Sequence, residues 1–256
     1  MLSKFILLTT ASCIYCYQNS NSDKIKNTSQ YSPKENPYKK VKDIPLPKGY
    51  KRAINTASFG NWLKSVSLKK DKTVYLFDGS IKYNQAAQFA VLNISVGKKD
   101  LQQCADAVMR LRAEYLYEKN NMDNITFTEN DGMTYRYKPP YSRKNFDTYL
   151  DRVFGMCGTA SLSKQLKTQV KIRDVEPGDV LIRGGFPGHA VIVMDVAINN
   201  AGNKIFLLAQ SYMPAQDIHV LNNPSNKNLS PWYEANEDAI IETPEYTFTK
   251  EELKRW

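Results

Sequence analysis

Three apolar segments that follow one another in the second half of the chain constrain the fold most. They read DVLIRG (179–184), AVIVMDVAI (190–198) and KIFLLAQSY (204–212), and each is rich in the aliphatic and β-branched residues that favour strands. The last two are joined by NNAGN (199–203), a short link with a glycine, which predicts an antiparallel hairpin. Since helical patterns precede this meander, the sequence predicts an α+β fold.

Apolar periodicity predicts the elements before the meander. The longest helix runs from a capping Asp100 to about Lys119 and places Cys104 on its apolar face, as a small core residue. Cys157 lies between two further helical segments, at or near the start of the second. The other predicted elements are helices at 59–66, 143–154 and 159–167, strands at 73–77 and 88–96, and a β-hairpin at 124–138.

The N-terminus has the composition of a secretory signal. MLSKFILLTTASC has one lysine, an apolar run and small residues that end at Cys13, and it is shorter than the ~20 residues that span a bilayer. It resembles bacterial lipoprotein signals, in which the cysteine is lipidated and becomes the mature N-terminus. Thr10 stands where those signals usually have leucine, and Cys16 offers a competing site. We expect a signal at 1–13 and lipidation of Cys13, with a plain cleaved signal or a buried apolar N-terminus as the alternatives.

Positive charge is concentrated ahead of the predicted fold. The formal net charge is +9, and residues 21–52 hold nine Lys/Arg against three Asp/Glu, which is +6. Because Lys4 adds one, about +2 remains for residues 53–256. Residues 14–52 are therefore expected to form a basic tether rich in Pro, Lys and Asn, ahead of a single domain at 53–256. A domain whose positive and negative charges nearly balance is not expected to bind nucleic acid. The basic tether is expected to lie near an anionic membrane or wall surface.

A cysteine, a histidine and a glutamine form a candidate nucleophilic site. A thiol at a helix start gains from the unpaired N–H groups there, a nearby imidazole takes its proton, and a third group fixes the ring. Cys157 offers the thiol, and His189 offers the imidazole after a Gly-rich turn. The hairpin register puts Gln210 diagonally beside His189, whereas a slip of one residue would put Ala209 and Ser211 on that face. A buried structural thiol is the alternative for Cys157.

The segment EPGDVLIRGGFPGHAVIVMDVA, with a helix-starting cysteine upstream, resembles the NlpC-type and CHAP-type cell-wall hydrolases, which are papain-like. In those families PGD leads into a strand, and GH opens the next strand with the catalytic histidine. The similarity covers about 150–215, and 50–235 more broadly resembles an uncharacterised family of predicted bacterial surface lipoproteins. The resemblance implies a papain-like core at 143–235, extended by an N-terminal half at 53–142. It also implies that Cys157 attacks the substrate.

Aromatic residues follow the strand that ends near His189. Tyr212, Met213, Trp232 and Tyr233 lie on loop-like sequence and are candidates for a groove that holds a peptide or glycan. Covering a sheet edge is the alternative for them. His219 is expected to be structural.

The resulting hypothesis is a lipid-anchored hydrolase of the bacterial cell envelope that acts on an amide in peptidoglycan peptides or a similar substrate. The sequence implies no metal and no organic cofactor. A non-catalytic lipoprotein that binds an envelope ligand on a degenerate hydrolase scaffold is the rival hypothesis. A scaffold lipoprotein that works through protein contacts is a third.

Overall fold

The computed structural model describes residues 35–54, 58–237 and 240–256. These residues belong to one compact unit. Within them, no helix combines the length and the apolar character needed to cross a membrane. The predicted signal with Cys13, and the first part of the predicted tether, lie outside the described residues.

The described residues form four α-helices and thirteen strands. The helices are α1 (Ser58–Ser65), α2 (Cys104–Glu118), α3 (Arg143–Met156) and α4 (Thr159–Gln165). The first seven strands are β1 (Tyr50–Arg52), β2 (Gln88–Val91), β3 (Thr126–Thr128), β4 (Thr134–Arg136), β5 (Thr168–Gln169), β6 (Val180–Arg183) and β7 (His189–Asn199). The other six are β8 (Lys204–Gln210), β9 (His219–Leu221), β10 (Tyr233–Glu234), β11 (Ile240–Glu242), β12 (Thr247–Thr249) and β13 (Leu253–Arg255).

One nine-stranded antiparallel sheet organises the fold. Its main path is β2-β9-β8-β7-β6-β13-β5, with β1 paired to β7 and β10 paired to β8. Two small hairpins, β3–β4 and β11–β12, stand apart from it. The α+β prediction is confirmed, as are the antiparallel pairing of β7 with β8 and the hairpin of β3 with β4.

Both faces of the central strands are buried. Ala190 and Ile192 belong to the core cluster that includes α1 and α2, whereas Val191 and Val193 belong to a second cluster with Phe248 of β12. Successive side chains of a strand point to opposite faces, so two cores produce one continuous apolar run in the sequence. Residue 189 therefore lies on the second face, under the β11–β12 hairpin.

A β-bulge adjusts the register between β7 and β8. A turn centred on 199–203 predicts that Ala197 faces Lys204, but the structure pairs Lys204 with Ile198, so that expectation is wrong by one residue. The register shifts between Val193 and Asp195, and beyond it Ile192 faces Ala209, as the predicted register requires. The one-residue offset at the turn and the bulge therefore cancel, so the predicted pairing is correct for the part of β7 that contains His189.

The predicted tether is wrong for residues 35–52. Val41 and Ile44 are fully buried in the core, and β1 pairs with β7. The Nε of Arg52 donates to the buried carboxylate of Asp195 at 2.8 Å. The lysines of this segment reach solvent while its few aliphatic side chains pack inward, so average composition hid a packed segment.

Two other expectations need correction, and one group of strands was not predicted. The helix predicted from Asp100 begins at Cys104, because the Asp100 Oδ1 accepts from the backbone of Ala215 at 2.7 Å instead of capping a helix. The strand predicted at 73–77 is reduced to isolated bridges. Strands after residue 235 carried no prediction, although β13 pairs with β6 inside the main sheet.

Candidate functional site

His189 is the first residue of β7 and is 2% exposed. Its Nε2 lies 2.8 Å from the Gln210 Oε1, the contact that the predicted register implies. Within the described part of the chain, the Nδ1 of His189 has no hydrogen-bond partner. The imidazole ring is therefore held through its Nε2, and its Nδ1 makes no hydrogen bond among the described residues.

Three aromatic rings surround the imidazole. Tyr212 meets it edge-on with centroids 4.9 Å apart, Tyr246 is tilted at 4.9 Å, and Phe248 stacks at 5.8 Å. Burial lowers the pKa of His189 to about 4, although the Gln210 hydrogen bond opposes this shift. The ring is thus neutral at physiological pH, and Tyr212 lies near the histidine as the sequence indicated.

Gln210 is itself held by an ion pair. Its Nε2 donates to the Glu245 Oε2 at 2.7 Å, and the same oxygen accepts from the Lys82 Nζ at 2.6 Å. Burial lowers the pKa of Lys82, and the contact with Glu245 opposes that shift. Sequence reasoning missed both residues, because neither stands in a motif and they come from loops 163 positions apart.

Cys104 is the first residue of α2 and is 8% exposed. Burial raises the pKa of its thiol to about 11, Asp106 adds to the rise, and the backbone N–H groups of Ala105 and Ala190 oppose it by hydrogen bonding. Ala190 directly follows His189, so the Cys104 sulfur lies beside the peptide that carries the histidine. Cys104 was predicted to be an ordinary core cysteine inside the helix. That prediction is wrong about its position, because Cys104 is the first residue of α2.

The turn before α2 is fixed to the end of β8. The Ser211 Oγ donates to the Gln102 carbonyl at 2.8 Å. Ser211 directly follows Gln210, and Gln102 lies two residues before Cys104. With the Asp100–Ala215 bond, this contact ties the start of the helix to the chain that leaves the histidine's neighbouring strand. Cys104 is held at the sheet by contacts that join three separate parts of the sequence.

Cys157 lies near the start of α4, as the sequence predicts, one residue before the N-cap Gly158. It is the C-cap of α3, immediately before α4, and burial raises the pKa of its thiol to about 11 while a Ser161 hydrogen bond opposes the rise. Among the described residues, neither Cys157 nor Cys104 is hydrogen-bonded to His189; Cys157 packs with the core cluster on the helical face of the sheet, whereas Cys104 lies beside the Ala190 peptide that follows the histidine.

A cavity of about 360 Å³ connects the two thiols. Asp106 is part of its wall; the Asp106 Oδ2 accepts from the Gln103 backbone, whereas, among the described residues, its buried Oδ1 has no partner. Burial raises the pKa of Asp106 well above its usual range. None of the described residues that line the cavity is a lysine or arginine, and its other side chains include Leu101, Phe154, Phe186, Pro187 and Met213.

The predicted aromatic groove divides into two parts. Met213 is 58% exposed and lines the cavity of the thiols. Trp232 and Tyr233 are buried at 1% and 4% exposure, so their prediction as groove residues is wrong. The Trp232 Nε1 donates to the Pro45 carbonyl at 2.8 Å, which shows that it anchors the N-terminal segment.

His219 is fully buried on β9, opposite Gln210. Its Nδ1 donates to the Asp217 carbonyl at 2.8 Å, and burial lowers its pKa to about 3. These contacts agree with the structural role expected for it. In residues 35–54, 58–237 and 240–256, no group of three His, Cys, Asp or Glu side chains is arranged to hold a metal ion.

The chain matches the family model described as "Domain of unknown function (4846)" over residues 41–139 and 138–255. It belongs to that family. No curated protein and no solved structure matches the chain. Within the family's extent, the first matched segment supplies Cys104 and Lys82, and the second supplies His189, Gln210 and Glu245. The candidate site is therefore assembled from both segments.

Proposed function

We propose that this protein is a cysteine hydrolase of amide bonds, with a papain-like arrangement in which Cys104 is the nucleophile. His189 acts as base and then as acid, and Gln210 orients its ring. Two of the three residues inferred from sequence keep their roles, and the nucleophile moves from Cys157 to Cys104. The observations that support this assignment are the Nδ1 of His189, which has no hydrogen-bond partner among the described residues, and the start of α2 at Cys104, whose thiol is near enough to the Ala190 backbone to influence its pKa.

The proposed reaction has two steps. The His189 Nδ1 takes the proton of the Cys104 thiol while the sulfur attacks the carbonyl carbon of the amide. Backbone N–H groups at the start of α2 lie where the oxyanion forms, and the imidazolium then gives its proton to the leaving amine. A water molecule deprotonated by the same nitrogen hydrolyses the thioester, and the imidazolium returns that proton to the departing sulfur of Cys104.

The resting site is electrically neutral in this proposal. With a thiol pKa of about 11 and an imidazole pKa of about 4, Cys104 and His189 hold their proton on sulfur at neutral pH. Proton transfer is then coupled to attack, and a bound substrate that excludes water is needed to make the transfer favourable. Such a thiol reacts slowly with small alkylating reagents even when the enzyme is competent.

The chain's sequence supports the substrate class and the location. PGD precedes β6 and GH opens β7, in the order seen in NlpC-type and CHAP-type hydrolases, and Cys104 starts the helix that packs on β7. The lipoprotein-like signal at Cys13 supports anchoring on the cell envelope. Amides of peptidoglycan peptides or similar envelope substrates are therefore the proposed targets, with the membrane as partner through the N-terminal lipid.

The test compares two buried cysteines that share one cavity. Full-length protein, Cys104→Ala and Cys157→Ala are each incubated with purified peptidoglycan fragments, and newly released amines are measured by mass spectrometry. The proposal expects product from the wild type and from Cys157→Ala, and none from Cys104→Ala. Loss of activity only in Cys157→Ala would contradict the assignment.

One observation favours the rival hypothesis of a ligand-binding lipoprotein. Both described thiols are protonated at neutral pH, as expected for a scaffold that no longer performs nucleophilic attack. In that case the fragments bind equally to wild type and Cys104→Ala, and no amine is released by either. The same experiment, with a binding measurement by calorimetry, therefore separates the two functions.

A further inference from the structure

We propose that Glu245 determines which nitrogen of His189 is the base, by dictating the orientation of the Gln210 side chain. Glu245 is a positioning residue in this scheme, since it contacts neither Cys104 nor the space where a substrate would lie. The inference deepens the proposed function and rests on it for its catalytic meaning. The structural part of the inference, the tautomer of His189, can be measured without any substrate.

The geometry consists of three consecutive short contacts. The Lys82 ammonium and the Gln210 Nε2 both donate to the Glu245 Oε2, at 2.6 and 2.7 Å. The Asn84 Nδ2 approaches the other carboxylate oxygen at 3.3 Å. The Gln210 Oε1 then lies 2.8 Å from the His189 Nε2. The side chains of Lys82 and Glu245 are 7% and 13% exposed, so bulk water competes little with these bonds.

Donor and acceptor rules leave one consistent arrangement. A carboxylate only accepts hydrogen bonds, so the atom of Gln210 that faces Glu245 must be the amide nitrogen. The amide oxygen must then face His189, and an oxygen only accepts, so the facing His189 Nε2 must carry the proton. The Nδ1 of His189 is consequently unprotonated, which is the form a base needs. A reversed Gln210 would set two acceptors against each other at the Glu245 contact.

A neutral residue in place of Glu245 removes this constraint. In Glu245→Gln the new amide can donate or accept, so Gln210 is free to point either way. The proton of His189 then distributes between Nε2 and Nδ1, although the size of the side chain is unchanged. Molecules with the proton on Nδ1 have no base facing Cys104.

The chain provides an internal reference for the measurement. It has two histidines, and His219 is held in the opposite tautomer because its Nδ1 donates to the Asp217 carbonyl. Nitrogen NMR of full-length protein labelled with ¹⁵N only at histidine should therefore show one ring protonated at Nε2 and one at Nδ1. His189→Gln removes one set of resonances and assigns the other set to His219.

Glu242→Gln is the matched control, because Glu242 lies on the same hairpin but bonds the Ser225 Oγ at 2.8 Å and not Gln210. We expect His189 to show only the Nε2–H form in wild type and in the control, and to gain the Nδ1–H form in Glu245→Gln. Unchanged His219 resonances verify the fold of each variant. A wild-type His189 protonated at Nδ1, or no change in Glu245→Gln, overturns the inference; the first of these needs no variant to fold.

Catalysis supplies a second, separable readout. If the hydrolase proposal holds, Glu245→Gln lowers kcat with little change in KM, in proportion to the fraction of His189 that leaves the Nε2–H form. A tautomer change in a protein that releases no amine would refute the proposed function and leave the positioning role intact. A normal tautomer pattern with an active enzyme would refute the positioning role alone.

Discussion

Acidification from pH 7 to pH 5 should destabilise the protein through its two buried histidines. Burial lowers the pKa of His189 to about 4 and that of His219 to about 3, from an ordinary value of 6.5. A group with a lowered folded-state pKa contributes stability above the unfolded-state pKa, and that stability is lost as the pH falls towards the folded-state value. At pH 5 the unfolded chain gains a proton on each ring, which favours unfolding by about 2 kcal/mol per histidine.

Buried carboxyl groups act in the opposite direction. Burial raises the pKa values of Asp106, Asp179 and Asp195, so these groups become less unfavourable to the folded state on acidification. The total pH dependence therefore mixes two signs. Histidine variants separate them, because the difference in unfolding free energy between wild type and His219→Gln cancels the contribution of the acids.

The assay is urea unfolding at pH 7 and pH 5, followed by circular dichroism, for wild type, His219→Gln and His189→Gln. The stability advantage of wild type over each variant should fall by about 2 kcal/mol between the two pH values. The packing and hydrogen bonds that each substitution removes are the same at both pH values, so they cancel in this comparison. An advantage that does not change with pH would refute the conclusion that these rings are buried and neutral.

Three further results are expected. Cys104 and Cys157 should react with iodoacetamide about a hundredfold more slowly at pH 7.4 than an ordinary thiol. The reason is that a thiol pKa of about 11 instead of 9.0 reduces the thiolate fraction by that factor. Alkylation of the native protein at ordinary rates would contradict this prediction. Arg52→Ala should cost about 3 kcal/mol of stability in thermal or urea unfolding, because it leaves the buried carboxylate of Asp195 unpaired; an unchanged midpoint would mean that the ion pair of Arg52 with Asp195 does not contribute to stability. Cys13→Ala together with Cys16→Ala should move the protein from the detergent-extractable membrane fraction to the soluble fraction, and retention on membranes would show that lipid does not anchor it.

Local signals predicted the contact between His189 and Gln210. The apolar runs indicated the strands, and the short glycine-containing link indicated the hairpin, so the face shared by the two residues followed from alternation alone. The bulge near Asp195 was not predictable, because no residue pattern requires the extra position. The prediction of the contact held because the misplaced turn and the bulge compensate each other.

The position of the proposed nucleophile was harder to predict, because it depends on where a helix starts. Asp100 is a good capping residue by type, and a helix that begins there places Cys104 in its second turn. The tertiary bond between Asp100 and Ala215 removes that cap and moves the helix start to Cys104 itself. A pattern within one segment cannot report a bond to a residue more than a hundred positions away, and the same limit hid Lys82 and Glu245.

The bulge also makes the strand pairing at the candidate site independent of the length of the hairpin loop. A residue inserted into the loop at 199–203 can be absorbed by pairing changes on the outer side of Asp195, while Ile192 stays opposite Ala209. Deletion of Met194 removes the extra position and makes Val193–Leu208 and Asp195–Leu207 consecutive pairs, so Gln210 stays on the same face of the sheet as His189. Both a longer loop at 199–203 and the loss of the bulge are therefore expected to preserve the contact between His189 and Gln210, which circular dichroism and histidine NMR of the two variants would show.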